Sequence, residues 1–216
     1  MSNEGAGEER RVWAYPLLQW SNIERVKARL PNSAVEAPAG IGELHFSNAG
    51  RELYSWWLTA RGDRPMPIAD DVDPRALVEL LPYLRYLSWE DEERLVFRIY
   101  GSALVEASGI DLTGYDVFNS FDDAQRRADQ ARLRALHDHP CGVVMIRDIP
   151  DRSGRVYPCE FLTLPIAPGE GGKNRVIGTV VPASRMAEWN VDVVLDRTLT
   201  LRHAAFLDVG FGTPEN

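Results

Sequence analysis

The stretch from Arg94 to Val117, RLVFRIYGSALVEASGIDLTGYDV, leaves this chain few folds to choose from. Leu95, Phe97 and Ile99 alternate with Val96, Arg98 and Tyr100, the period of two that a strand with one apolar face requires. Gly101 breaks the run, and Ser102 is placed to cap a short helix whose Ala103, Leu104, Val105 and Ala107 face inward. Gly109 ends that helix, and Asp111-Leu-Thr-Gly114 supplies the backbone freedom of a sharp turn. A strand, a glycine exit, one or two helical turns and a reversal shape the rim of a concave pocket rather than a flat core.

The flanking segments extend this unit. Tyr83 to Trp89 alternates as a strand and EDEE turns the chain, so the two strands pair as an antiparallel hairpin. Upstream, Asn48 to Arg61 reads as a helix with Leu53, Trp56, Trp57 and Ala60 on one stripe, Asn48 as its cap and Gly62 as its stop. Two tryptophans on one short helix must be covered by the outer face of a sheet or by a second copy of the chain. Asp73-Pro74 launches a short helix with Leu77, Leu80 and Leu81 inward. Ser120-Phe-Asp-Asp123 is a capping-box-like start to a longer helix that runs to about His137, with Ala124, Ala128, Ala131 and Ala135 as its inner stripe and Leu133 and Leu136 beside it.

Three strands follow at Gly142–Ile149, Arg155–Pro165 and Arg175–Ala183. A first turn centred between Arg152 and Ser153 sets Ile146 opposite Cys159 and Val144 opposite Phe161. Val144, Ile146, Tyr157, Cys159, Phe161 and Thr163 then share one face, apolar with two polar handles, and a slip of one residue would invert it. The same register separates Cys141 from Cys159, so no disulfide is expected. Residues 191–209 suit either a further strand or a docked helix. The division that results is an N-terminal extension over 1–47 (a small acidic start expected to be disordered, one amphipathic helix, then a Pro/Gly linker), a domain over 48–190 and a C-terminal extension over 191–216.

A net charge of −8 argues against a general nucleic-acid or anionic-membrane surface, because both need a positive field. Arg126, Arg127, Arg132 and Arg134 are interleaved with Asp122, Asp123 and Asp129, which reads as a solvated, salt-bridged helix face. No apolar run approaches the roughly 20 residues of a bilayer span, and the first residues lack the apolar core of a secretory signal. With two cysteines and no export signal, the expected location is cytoplasmic with reduced thiols.

The order strand, strand, short helices around a turn, longer helix, three strands resembles a PAS domain. The run from Leu53 to Phe121 is similar to a bacterial family of short PAS-like proteins first catalogued as a domain of unknown function. Tyr54-x-x-Trp57, Arg64-x-x-Pro67, Asp73-Pro74, Leu81-Pro82, Phe97-Arg98-x-x-Gly101-Ser102 and Gly109-x-Asp111-Leu-Thr-Gly114 carry the likeness, over roughly a third of the chain. The resemblance implies an α+β fold: a five-stranded antiparallel sheet with short helices and one longer helix over one face, plus the N-terminal helical extension. It further implies a sensory or protein-interaction module with a small cavity, without naming a cofactor. Arg98 is placed to pair with Asp111 across the turn as a structural salt bridge.

His137-Asp-His139-Pro-Cys141 is the candidate metal cluster, since alternate residues of an extended segment would present two imidazoles and a thiolate together. Haem-binding PAS domains also use a histidine on the long helix; the competing reading is a helix end where His137 suits the dipole and Pro140 stops continuation. The flavin-type Asn-Cys-Arg-Phe motif is absent, and no serine–histidine–acid or paired-carboxylate arrangement stands out, so no enzyme is expected. The resulting expectation is a sensor or adaptor without an output domain of its own. A small ligand would lie among Tyr100, Leu104, Val105, Ile110, Val144, Ile146, Phe161 and Thr163, and a partner protein would read its state. A homodimer through the Trp56/Trp57 helix accompanies that expectation. The alternative is a metal- or haem-binding protein or enzyme using the same cavity.

Overall fold

Ala49, Leu53 and Trp57 recur at a spacing of four and wind Asn48–Arg61 into helix α1 around a fully buried stripe. The computed structural model describes residues 46–108, 110–150, 156–170, 172–183 and 200–214. The amphipathic helix expected within the N-terminal extension lies outside them. Ser47, not Asn48, caps α1: its hydroxyl oxygen accepts from the Gly50 amide at 3.0 Å. After α1 the chain runs through three short 3-10 turns, Ala69–Asp71, Pro74–Leu77 and Leu81–Tyr83. Asp73 caps the second of them by accepting from the Arg75 amide at 2.9 Å.

Strands β1 (Leu84–Trp89) and β2 (Leu95–Tyr100) form the expected hairpin, followed by helix α2 (Ser102–Ser108), a 3-10 turn at Val117–Ser120 and helix α3 (Asp123–Asp138). Gly101 is obligatory between β2 and α2, because a Cβ there would stand 2.3 Å from the Pro82 carbonyl oxygen. Strands β3 (Gly142–Pro150), β4 (Val156–Ile166), β5 (Arg175–Pro182) and β6 (Thr200–Leu207) complete the sheet. Its order is β2-β1-β5-β4-β3-β6, antiparallel at every pairing.

Four expectations need correction. The sheet has six strands rather than five, because Thr200–Leu207 from the C-terminal extension pairs along β3 and covers what would be an open edge. The β3–β4 register is shifted by one residue: Val144 lies opposite Leu162, Ile146 opposite Glu160, and Met145 opposite Phe161. With a period of two, that single step turns Val144 and Ile146 to the other side of the sheet. In α3 the alanines at 124, 128 and 131 are exposed, and Leu133 and Leu136, expected beside that stripe, face inward together with Asp129. Two leucines bury more apolar area than the alanine stripe would, and Asp129 has a buried cation to meet. Arg98 pairs with Glu90, which also accepts from Lys173 Nζ at 2.8 Å, while Asp111 accepts from the Thr113 amide at 2.9 Å.

The sheet separates two layers. On one side α1 lies over β4 and β5, where the Trp57 indole N–H donates to the Pro165 carbonyl at 2.7 Å and Ser47 reaches the buried Glu160. On the other side α3 and the Val117–Ser120 turn enclose a space against β1–β5. Trp57 is thus covered by the sheet of its own chain, with no exposed surface left.

Candidate functional site

Between α3 and the sheet lies a cavity of about 60 Å³. Phe97 and Tyr100 from β2, Val117, Phe118 and Phe121 from the turn, Leu133 from α3, Met145 and Ile149 from β3, Phe161 from β4 and Val180 from β5 give it an apolar wall. Three charged side chains interrupt that wall: Arg85 from β1, Asp129 from α3 and Arg147 from β3. All three are nine-tenths or more buried, with 7%, 3% and 2% of their surface exposed. Charges so far from water demand partners, since desolvation of an isolated ion outweighs most other single terms.

Arg147 and Asp129 provide for each other. The Arg147 guanidinium donates to Asp129 Oδ2 at 2.5 Å and lies over the Phe121 ring, 5.5 Å from its centroid. Asp129 Oδ1 is taken by Arg132 one helical turn on, so both oxygens of the carboxylate are engaged. Burial lowers the Arg147 pKa and the facing Asp129 opposes that shift.

Arg85 is held differently. Its Nη2 donates to Thr163 Oγ1 at 2.5 Å and approaches the Leu162 carbonyl at 3.4 Å, and its plane stacks 5.0 Å from the Phe161 centroid. Among the described residues it forms no salt bridge, and its Nε is buried without any hydrogen-bond partner. Burial pulls its pKa down to about 10, with the positive charge of Arg147 acting in the same direction; it stays cationic at neutral pH. Gly178 makes the strand arrangement beneath it possible: a Cβ there would stand 2.1 Å from the Leu162 carbonyl oxygen and 3.3 Å from Arg85 Nε.

Of the residues expected from sequence to contact a ligand, Tyr100 and Phe161 line the cavity. Burial raises the Tyr100 pKa to about 12, so its phenol stays protonated. Thr163 lies on the same face and holds Arg85. Leu104 is buried, and Val105 and Ile110 are half-buried, but none of the three belongs to the wall. Val144 and Ile146, fully buried on the opposite face, do not reach it; the register shift removes them. Sequence reasoning missed Arg85, Asp129 and Arg147. Their signal was present as single charges inside otherwise apolar strand and helix faces, such as Arg147 between Met145 and Ile149.

His137, His139 and Cys141 occupy the end of α3 and the approach to β3, and among the described residues no group of three such side chains is arranged to hold a metal ion. Burial lowers the His137 pKa to about 4 and pushes the Cys141 thiol up to about 12, the behaviour of core groups. Both cysteines are free thiols. The cavity is also far too small for a haem macrocycle.

No curated protein matches the chain. Among solved structures, the PAS domain from Bordetella pertussis BvgS is similar at 20% identity, covering 53% of this chain and 86% of that one with a TM-score of 0.39. An RNA-binding light-oxygen-voltage receptor is similar at 14% identity, covering 71% of this chain and 37% of that one with a TM-score of 0.36. The sequence family described as the PAS domain matches residues 45–181, more than half of the chain. A match over that length places this chain in the PAS domain family.

Proposed function

We propose that this PAS domain, a sensory or interaction module by family, works as a ligand-binding sensor whose occupancy is read by a partner protein. The observation that supports the reading is the apolar cavity with convergent polar groups, the arrangement small-molecule sites share. The ligand would touch α3 and β3 together, so its arrival would tighten one face of the sheet while the opposite face presents α1 outward. The role is non-catalytic and cytoplasmic, exercised by a homodimer. Trp56, half-buried beside the covered Trp57, is the part of the α1 stripe left for a second copy. Among the described residues no helix is long and apolar enough to cross a membrane.

Native mass spectrometry before and after unfolding and refolding tests the ligand. A mass increment on the native protein that refolding removes is expected. Equal masses, with no stabilisation by any member of a set of small organic molecules, overturn the reading. Sedimentation across a wide concentration range tests the homodimer, and a single monomeric species throughout refutes it.

A further inference from the structure

Arg85 is a cation placed where water does not reach, and among the described residues no carboxylate forms a salt bridge with it. The other cation of the cavity, Arg147, leaves nothing to share, because Asp129 is already divided between Arg147 and Arg132. Two guanidiniums, Arg85 and Arg147, therefore face the cavity with one carboxylate, Asp129, whose oxygens are already engaged, and the cavity carries excess positive charge. A buried charge of this kind is tolerated only if something of opposite sign completes it. Apart from these groups the wall is hydrocarbon and aromatic. An occupant must then be an anion at one end and apolar at the other. Inorganic phosphate and sulfate meet the first requirement but not the second.

Size narrows the class further. A cavity of about 60 Å³ compares with roughly 10–15 Å³ of probe-occupied volume for one water, which leaves room for about four to six non-hydrogen atoms. We propose that the cavity binds a short-chain monocarboxylate, on the scale of butyrate or isobutyrate. Its carboxylate lies against the Arg85 guanidinium, and its tail lies among Phe97, Val117, Phe118, Leu133 and Val180. Arg rather than Lys suits this task because a planar guanidinium can meet a carboxylate with two parallel N–H donors. Thr163, which already holds Nη2, is a positioning residue that fixes the guanidinium plane over Phe161.

This inference rests on the sensor reading above, and a matched pair of probes separates the two. Calorimetric titration and thermal shift of the full chain would use isobutyrate, its neutral isostere isobutyramide, and inorganic phosphate. Isobutyrate is expected to bind and to raise the melting temperature, with isobutyramide at least tenfold weaker and phosphate inactive. Arg85→Met is expected to weaken isobutyrate binding at least tenfold without affecting isobutyramide. Thr163→Val is expected to weaken the acid alone while leaving the Arg85 charge in place. If isobutyramide binds as well as the acid, or Arg85→Met leaves acid binding unchanged, the carboxylate assignment is wrong and the cavity reading stands. If phosphate binds and isobutyrate does not, the site is an anion site without an apolar subsite, and the assignment is again wrong. If none of the three binds, the carboxylate assignment is wrong, and the sensor reading is decided by the native mass spectrometry above. The comparison of acid with amide on the unaltered protein decides the matter even if Arg85→Met does not fold.

Discussion

Asp129 shows how a single side chain can be both ordinary in sequence and decisive in place. It sits in a helix rich in alternating charge, yet it is the carboxylate that neutralises the buried Arg147. Replacing Asp129 with Leu should cost about 3–5 kcal/mol in urea unfolding, because Arg147 is left buried and uncompensated. Adding Arg147→Met to that variant should recover most of the loss, and a double variant no more stable than Asp129→Leu alone would refute the pairing argument. Glu160 is the second such residue. It is fully buried under α1 and accepts from the Ser47 amide at 2.7 Å and the Ser47 hydroxyl at 2.6 Å. Burial raises its pKa from 4.5 to about 7 against the pull of those two donors and of Arg51. Between those values the folded chain holds a proton that the unfolded chain has released. Stability from this group is therefore greatest below about pH 4.5 and declines as pH rises through about 7, by on the order of 3 kcal/mol. Glu160→Gln should flatten the unfolding free energy over that window. An unchanged slope in the variant would assign the pH dependence elsewhere.

At the scale of elements, α1 is the clearest case of a helix defined by its tertiary partner. Its apolar stripe was evident, but whether a sheet or a second copy covers it depends on where β4 and β5 run. The sheet takes Trp57 entirely, through packing and through the indole hydrogen bond to Pro165. Trp57→Ala should accordingly lower stability by about 3–5 kcal/mol, read as a loss of roughly 6–20 °C in melting temperature for a domain of this size. A variant that melts like the parent but loses self-association would show that Trp57 serves an interface instead. The hairpin β1–β2 and the cap at Asp73 follow from neighbours within a few residues, and there the sequence was readable; α3 is capped by Asp122 rather than by the Ser120 that the sequence suggested. Helix α3 was readable as a helix but not as a face. Its inward side is chosen by Leu133, Leu136 and Asp129 against residues that arrive from β3.

For the molecule as a whole, β6 closes the sheet on β3, where Arg202 forms an ion pair with the buried Asp148. A chain shortened to residue 183 should melt at lower temperature and associate with rising concentration in gel filtration, because the β3 edge becomes an open template. A monodisperse shortened chain with an unchanged melting temperature would make β6 dispensable. What the sequence determined by itself was local: strand and helix spans, the Gly101 exit, the Asp111–Gly114 turn and the family they resemble. Those follow from periodicity and capping, which act over a few residues. The strand register, the inward face of α3 and the cavity charges were decided only by tertiary structure. Arg85, Asp129 and Arg147 come from three separate elements and meet only once β1 lies beside β5 and α3 crosses β3. A shift of one residue between β3 and β4 exchanges an apolar valine-isoleucine face for one carrying Arg147. No local pattern distinguishes the two, because both faces of that strand are buried.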